Sequence, residues 1–145
     1  MTTVAHLLSA KGGDTWSVPS DASVYKAIEL MAEKQIGALL VVDAGRVVGI
    51  VSERDYARKV ILQGKLTETT LVCEIMTDKV LFVRPEQTIE DCMALMTTRR
   101  IRHLPVMRDD LLLGMISIGD VVKALLTERD ALIGQLEQYI TGQRA

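Results

Sequence analysis

The sequence has few aromatic residues, little net charge and no long apolar run. Aromatic residues make up 3% of the 145 residues, so the core must be built from Val, Ile, Leu, Met and Ala. A net charge of −2 provides no broad basic face for a phosphate backbone, so we expect no nucleic-acid partner. No stretch reaches the roughly 18 apolar residues of a membrane span, and no basic segment with a long apolar run opens the chain. These absences predict a cytoplasmic protein with no membrane partner.

Histidine and cysteine are scarce as well, with two of each. Cys73 and Cys92 lie in apolar, helical stretches, which predicts two reduced, buried thiols and neither a disulfide nor a metal site. His6 and His103 show no ligand spacing relative to them, so we expect no bound metal. The sequence also has no nucleophile–base pair, clustered carboxylates or Walker-type loop. We therefore expect no catalytic residues, no catalytic cofactor and no enzyme activity.

One stretch of the sequence occurs twice. Residues 49–55 (GIVSERD) return as residues 114–120 (GMISIGD), an offset of 65 residues (114 − 49). The same offset relates Val18 to Val83, and the match needs no gap between Val18 and Asp120. The chain is therefore two copies of one unit, and such a repeat is interpreted before any single motif.

Each copy has the pattern strand–helix–strand–strand–helix. The first copy has predicted strands at 15–18, 38–42 and 47–51, with helices at 24–34 and from residue 52 or 53 to about 64. The second copy has predicted strands at 80–83, 104–107 and 111–116, with helices from residue 88 and from about 119 to 140. Short helices are predicted at 4–10 and 71–76, one ahead of each copy.

These elements predict the domain organisation and the fold class. The chain divides into a first repeat with its N-terminal helix (1–64), a linker (65–70), a second repeat (71–128) and a C-terminal helical extension (129–145). A single copy of about 60 residues buries too little surface to be stable by itself. We therefore expect an α/β (α+β) fold in which two β-α-β-β-α repeats pack sheet to sheet with pseudo-two-fold symmetry. The cleft between such repeats is a usual place for a small ligand.

The repeated motifs resemble a known family. Residues 36–43 (IGALLVVD) and 101–106 (IRHLPV), the two Gly-x-x-Ser-x-x-Asp stretches and Glu74-Ile75-Met76-Thr77 resemble a pair of cystathionine-β-synthase (CBS) domains, or Bateman module, of the stand-alone single-pair kind. The resemblance covers nearly the whole chain. It implies a non-catalytic sensor of adenine nucleotides that forms a homodimer and acts on an unidentified regulated protein. AMP is the favoured ligand, and ADP, ATP, NAD(H) and S-adenosylmethionine are the alternatives that the family offers.

Ser52 and Asp55 in the first copy, and Ser117 and Asp120 in the second, are the leading site candidates. Ser-x-x-Asp at a helix start is also a capping box, in which hydroxyl and carboxylate satisfy free backbone amides. The doubled motif after a Gly-aliphatic strand favours a second role, because a carboxylate there can accept hydrogen bonds from both hydroxyls of a ribose. The two roles do not exclude each other.

Arg102, His103 and Arg54 are candidates for contact with ligand phosphates. Arg102 and His103 interrupt an apolar strand, and by resemblance basic residues at this position face the cleft. A guanidinium suits phosphate because its planar fork donates two parallel hydrogen bonds. The alternatives are two exposed polar residues at a strand edge and, for Arg54, a solvated side chain in a first helical turn.

The resemblance also implies which residues line each pocket. Thr77 and Phe82 belong to the pocket of Asp55, although Phe82 is equally explained as a core residue. Gly12 and Ser17 hold the corresponding places for Asp120. The remaining members of the predicted nucleotide-binding set are Val83, Ile101, Ile36, Gly37 and Ala38. The difference between the two linings favours one strong site over two equal ones.

Two further expectations concern assembly and the rival function. The last predicted helix extends beyond the repeat and has an apolar stripe, which predicts that it contributes to a homodimer. The stripe consists of Val122, Leu125, Leu132, Leu136 and Tyr139. The rival to nucleotide sensing is a structural or protein-interaction module whose cleft holds no nucleotide.

Overall fold

The computed structural model describes residues 2–141, and its elements follow the predicted order. The helices are α1 (Val4–Lys11), α2 (Val24–Lys34), α3 (Glu53–Tyr56), a π-helical turn (Ala57–Ile61), α4 (Val72–Ile75), α5 (Ile89–Arg99) and α6 (Ile118–Thr141). The strands are β1 (Ser17–Val18), β2 (Ala38–Asp43), β3 (Arg46–Ser52), β4 (His103–Arg108) and β5 (Leu111–Ser117). The mixed α/β class and the doubled β-hairpin with flanking helices are therefore confirmed.

The chain forms two compact units. The central unit is Thr15–Val80, and the terminal unit combines Met1–Asp14 with Leu81–Ala145. Each has its own aliphatic core, as the scarcity of aromatic residues predicts. The central core consists of Val18, Val24, Ala27, Met31, Leu39, Val41, Val51, Val60, Val72 and Ile75. The terminal core consists of Val4, Leu7, Val83, Ile89, Cys92, Met96, Leu104, Val106, Ile116 and Val121.

These units differ from the predicted division of the chain at its two short helices. α1 lies in the terminal unit, where the Val4 amide donates to the Gln87 carbonyl at 2.8 Å. α4 lies in the central unit, where the Val72 amide donates to the Ala22 carbonyl at 2.8 Å. α1 and α4 lie there for the same reason. The free amides at the start of each helix need acceptors, and a loop of the other copy supplies them. The segments 1–64 and 71–128 are thus sequence repeats and not the compact units.

In the central unit, the sheet has the order β1-β2-β3. β1 is parallel to β2, and β2 and β3 form an antiparallel hairpin that pairs Asp43 with Arg46. The two loop residues, Ala44 and Gly45, have φ angles of 49° and 77°. Positive φ at both positions is typical of a two-residue turn whose twist matches that of the strands.

In the terminal unit, β4 and β5 form the equivalent hairpin, but the predicted strand at 80–83 is reduced to one bridge. Val83 donates to the Pro105 carbonyl at 3.0 Å and accepts from the Met107 amide at 2.9 Å. In the central unit, the Leu40 amide also donates to the Trp16 carbonyl, at 3.1 Å. Pro105 takes the place of Leu40 in the second copy and has no N–H group, so that bond cannot form and the strand is shorter.

Three local features complete the fold. α6 is 24 residues long and reaches Thr141, as its pattern predicts, and Val121 is its one buried residue among those described. None of the helices within residues 2–141 is long and apolar enough to cross a membrane.

Cys92 is buried, and burial followed by the Asp91 charge raises its pKa to about 11. Cys73 is exposed on α4, so the prediction of two buried thiols is wrong for this residue, because α4 turns Val72 and Ile75 inward instead.

Candidate functional site

In the central unit, Ser52 and Asp55 form a complete capping box at the start of α3. The Asp55 amide donates to Ser52 Oγ at 3.2 Å, and the Ser52 amide donates to Asp55 Oδ2 at 2.9 Å. The Ser52 hydroxyl also donates to Asp55 Oδ2, at 3.0 Å. Both residues are half-buried. The carboxylate is therefore fixed at the junction of β3 and α3, in the positive first turn of the helix.

Lys59 forms an ion pair with the other carboxylate oxygen of Asp55, Oδ1. Its Nζ lies 3.1 Å from Asp55 Oδ1 and donates to the Ile75 carbonyl at 2.8 Å. Lys59 belongs to the π-helical turn, one turn after Asp55. Asp55 thus has hydrogen-bond donors on both oxygens before any ligand is present.

In the terminal unit, Ser117 and Asp120 repeat the capping box at the start of α6. The Asp120 amide donates to Ser117 Oγ at 3.2 Å, and the Ser117 amide donates to Asp120 Oδ2 at 2.8 Å. The lysine here comes from a different part of the chain. Lys11, the last residue of α1, places Nζ 2.5 Å from Asp120 Oδ2 and 2.7 Å from the Met115 carbonyl. The side chain of Asp120 is 25% exposed and that of Asp55 is 15% exposed, so Asp120 is the more accessible carboxylate.

The charges around Asp120 shift two pKa values. Burial raises the pKa of Asp120, but hydrogen bonds from Lys11 and Ser117 and the charge of Lys11 outweigh it and hold that pKa below its usual value. Burial, followed by the charge of Lys11, lowers the pKa of His103, and the Asp120 charge opposes this only in part. His103 is therefore a neutral imidazole at pH 7. The group beside Asp120 that carries positive charge is Lys11.

Arg102 and His103 lie in different surroundings, although the sequence predicts the same role for both. Arg102 is exposed and lines a groove of about 600 Å³ along the first half of α6. The groove is completed by Ile118, Gly119, Val122, Lys123, Leu126, Thr127 and Asp130. His103 is half-buried and interacts with Lys11 and Asp120. Only His103 of this pair thus joins the surroundings of Asp120.

Two of the predicted residues in the central unit, Thr77 and Gly37, bond through their backbone to the segment 50–53 that precedes Asp55. The Thr77 amide and carbonyl pair with Ile50 at 2.9 and 3.0 Å, next to the strand that leads to Ser52. The Gly37 carbonyl accepts from the Glu53 amide at 3.0 Å. Of the others in this unit, Ile36 is half-buried, Ala38 is buried, and Ser17 and Arg54 are exposed.

The predicted residues of the terminal unit are divided between surface and core. Phe82 is 43% exposed, so its explanation as a core residue is wrong and its ring is accessible. Val83 is completely buried and both its backbone groups bond to β4, so it has no free group for a ligand. Ile101 is half-buried against the core. Phe82 belongs to this unit, whereas Thr77, predicted for the same pocket, belongs to the central one.

Sequence reasoning missed the two lysines. Lys59 could have been found, because residues four apart on a helix are neighbours and Lys59 follows Asp55 at that spacing. Lys11 had no such signal, because 109 residues separate it from Asp120. Each unit therefore has its own carboxylate–lysine pair, and the two lysines come from non-equivalent positions of the repeat. Within residues 2–141, no three His, Cys, Asp or Glu side chains are grouped so that they could hold a metal ion.

This architecture defines a class of protein: a tandem pair of small α/β units, each with a Ser-x-x-Asp helix start after its hairpin. The family model of the CBS domain matches residues 14–62 and 72–127. The chain belongs to the CBS-domain family and is a tandem CBS pair, a regulatory module. Proteins that consist of CBS domains alone are generally regulatory and not catalytic.

Individual relatives agree with this assignment. A solved structure of a protein with CBS domains from Burkholderia ambifaria is 54% identical, has a TM-score of 0.85, and aligns over 87% of this chain and 95% of that chain. The mitochondrial CBS domain-containing protein CBSX3 of Arabidopsis thaliana is 41% identical over 97% of this chain and 73% of that protein. A CBS domain pair solved in complex with 5′-methylthioadenosine and S-adenosylmethionine is 24% identical with a TM-score of 0.78, and this likeness concerns the fold alone.

Proposed function

We propose that the protein is a non-catalytic sensor that binds an adenine nucleotide and passes its ligand state to a partner protein. AMP is the ligand we favour, with ADP, ATP, NAD(H) and S-adenosylmethionine as alternatives. The observation that carries the proposal is the group around Asp120. There a half-buried, ionised carboxylate, a serine hydroxyl, a lysine ammonium and a neutral imidazole lie together at the start of a long helix.

The chemistry of this group fits a nucleotide. A carboxylate accepts hydrogen bonds from the two vicinal hydroxyls of a ribose, as the acidic residue of dinucleotide-binding folds does. Lys11 supplies a cation for phosphate, and the first amides of α6 add positive potential. A CBS pair of the same fold holds adenosine derivatives, which supports the choice of an adenosyl ligand.

A structural or protein-interaction module with no nucleotide bound is the second candidate, and one observation favours it. Asp55 already has donors on both oxygens, from Ser52 and Lys59, and Asp120 already has two donors. Carboxylates that cap helices and bind lysines stabilise a fold without any ligand. The experiment must therefore separate the capping role from ligand binding.

The matched control is a third capping box that no prediction connects to a ligand. Thr88 and Asp91 open α5 with the same two hydrogen bonds, both 3.1 Å long. We expect Asp55→Ala, Asp120→Ala and Asp91→Ala each to lower the free energy of unfolding by about 1 kcal/mol, the usual cost of a lost cap.

Only the first two variants should affect nucleotide binding. Losing charge-assisted hydrogen bonds to the ribose should weaken AMP binding by calorimetry about 10- to 100-fold at the affected site. Asp91→Ala should bind AMP as the wild type does. If Asp55→Ala and Asp120→Ala also bind AMP normally, the carboxylates are caps and the second candidate stands. A panel of the named ligands in a thermal-shift assay then identifies the preferred nucleotide by the largest rise in Tm.

The homodimer, the regulated partner and the cytoplasmic location belong to the same proposal. The dimer is supported by the exposed apolar side chains of α6, which would be covered by the same face of a second copy. The exposed members of this face are Val122, Leu126, Leu132, Ile133, Leu136, Tyr139 and Ile140, whereas Leu125 of the predicted stripe is half-buried against the terminal core. The partner and the location stay predictions, and fractionation of cells that express the tagged protein tests the location.

A further inference from the structure

The Lys11 ammonium lies where a ribose would have to bind. It contacts Asp120 Oδ2 at 2.5 Å, and the Ser117 amide donates to the same oxygen at 2.8 Å. A carboxylate oxygen has two lone pairs, so these two donors fill Oδ2. Both of these bonds go to Oδ2, so Oδ1 is the oxygen of Asp120 that carries neither of them.

A vicinal diol needs both oxygens, because its two hydroxyls donate side by side. One hydroxyl can bond to Oδ1 of Asp120 at once, but the other reaches Oδ2 only if Lys11 leaves. Lys11 would then keep its bond to the Met115 carbonyl, 2.7 Å away, and lose its counter-charge. His103 cannot supply the counter-charge in place of Asp120, because an imidazole is either neutral or positively charged. A neutral diol therefore leaves the Lys11 ammonium without a counter-charge. The Lys11 side chain is 37% exposed, so water solvates this cation only in part.

A ligand that also carries an anion removes this cost. The ligand hydroxyls replace Lys11 as donors to Asp120, and the ligand anion replaces Asp120 as the partner of the Lys11 ammonium. Every charge therefore stays paired. We propose that Lys11 exchanges partners in this way and makes the site at Asp120 selective for vicinal diols that carry a phosphate or another anionic group. The inference rests on the proposed function and names the ligand chemistry of that site.

The central unit has no equivalent arrangement. The amide and the hydroxyl of Ser52 fill Asp55 Oδ2 and Lys59 donates to Oδ1, so the second hydroxyl of a diol would have to displace the capping serine and not a lysine. Lys59 also lies four residues from Asp55 on the same helical segment, whereas Lys11 belongs to α1 and is 109 residues from Asp120. We therefore place the exchange at Asp120.

The test compares AMP with adenosine, which has the same diol and no phosphate. Calorimetry gives both Kd values for the wild type, Lys11→Met, and the control Lys79→Met, which removes an exposed lysine. In Lys11→Met, no ammonium competes for Asp120, so adenosine should bind about tenfold more tightly than to the wild type. AMP should bind no more tightly, so the preference for AMP over adenosine falls about tenfold. Lys79→Met should keep the wild-type preference.

Two more variants separate exchange from a structural role. Lys11→Arg keeps the charge and should keep most of the preference for AMP. In an Asp120→Asn background, Lys11→Met should no longer improve adenosine binding, because the carboxylate for which the two compete is gone. A purely structural Lys11 would weaken AMP and adenosine by the same factor, and this result overturns the exchange. If the wild type binds both ligands and Lys11→Met leaves their ratio unchanged, the exchange is refuted while nucleotide binding stands. If the wild type binds neither AMP nor adenosine at millimolar concentration, the exchange falls, and the proposed function falls with it if ADP, ATP, NAD(H) and S-adenosylmethionine also fail to bind.

Discussion

Gln35 and Arg100, which are equivalent residues of the two copies, both adopt the left-handed backbone conformation, with φ angles of 56° and 55°. Each follows the last residue of a helix, α2 or α5, and its amide donates back to a carbonyl of that helix. Glycine is the usual residue here, because a side chain in this conformation costs about 1–2 kcal/mol. The same strain at the same point of both copies shows that the fold imposes it.

Gln35→Gly should therefore stabilise the protein, because it removes this strain at an exposed position. We expect the free energy of unfolding to rise by about 0.5–1 kcal/mol in urea denaturation. The rise is smaller than the strain because glycine also increases the entropy of the unfolded chain, which offsets part of the gain. Arg100→Gly should gain less, because it removes a positive charge from a helix C-terminus. As a control, Ala32→Gly inside α2 should cost about 1 kcal/mol. A loss of stability in Gln35→Gly would show that its side chain makes a contact worth more than the strain.

Gly49 should tolerate alanine less well than its equivalent, Gly114. A Cβ on Gly49 would lie 2.5 Å from Met76 Sδ and 3.0 Å from the Thr77 carbonyl. A Cβ on Gly114 would lie 2.8 Å from Leu8 Cδ2, the end of a flexible side chain. Because the Thr77 carbonyl is backbone and accepts from Ile50, it cannot move without breaking a bond.

We expect Gly49→Ala to cost about 1–3 kcal/mol of unfolding free energy, the usual range for overpacking, and Gly114→Ala to cost less. Gly134 on α6 has no atom within 4 Å of an added Cβ, so Gly134→Ala should stabilise by up to about 1 kcal/mol. Urea denaturation of the three variants gives the order. Equal costs at Gly49 and Gly114 would show that the backbone near Thr77 shifts as easily as the Leu8 side chain.

Mild acid should destabilise the protein through His103. Its pKa is lowered in the folded state, so between the folded and unfolded pKa values the unfolded chain binds the proton and the folded chain does not. The stability associated with neutral His103 is complete above pH 6.5, the unfolded value, and decreases as the pH falls towards the folded pKa. The lowered pKa of Asp120 acts in the same direction, but below its own unfolded value of 3.8.

The measurement is Tm between pH 8 and pH 5 for the wild type and His103→Gln. The wild type should lose more than the variant over this range, because glutamine does not titrate. A His103→Gln profile parallel to that of the wild type would contradict the assignment of the acid sensitivity to this imidazole.

Truncation after Glu128 should weaken the homodimer. The deleted part of α6 presents Leu132, Ile133 and Leu136, which are 56%, 40% and 53% exposed. Covering them with a second copy would remove apolar surface from water, the main driving force of association. Sedimentation should show dimer for the full chain and a larger monomer fraction for the truncated chain.

A less drastic variant avoids loss of the helix. Leu132→Gln with Leu136→Gln should also shift the chain towards monomer, while Gln135→Ala should not. Residues 142–145, the end of the predicted extension, lie outside the described residues. A full chain that sediments as a monomer at low micromolar concentration would contradict the dimer, and a truncated chain that stays dimeric would show that α6 is not needed for it.

The sequence was sufficient for the local elements. α2 spans the predicted residues 24–34, with the Ser23 side chain capping its start, and both hairpins turn where small or polar residues interrupt aliphatic strands. These features depend on residues within four positions of each other, whose contacts are set by helix and turn geometry. The Ser-x-x-Asp caps belong to this group, and so does the Lys59–Asp55 pair that was overlooked.

The arrangement of the site could not be predicted in this way. Arg102 and His103 are neighbours in one motif, yet Arg102 lines a groove and His103 interacts electrostatically with Lys11 and Asp120, because successive side chains of an extended segment point to opposite faces. The resemblance gave both the same role and so concealed this difference.

By itself, the sequence determined that the chain is a doubled unit with an aliphatic core and a carboxylate at two equivalent helix starts. The reason is that repetition, period and capping are properties of adjacent residues. Only the tertiary structure decided that α1 packs in the terminal unit and α4 in the central one, and hence that Lys11 reaches Asp120. A contact across 109 residues depends on where packing places the end of a long side chain, and that position cannot be inferred from the pattern of neighbouring residues.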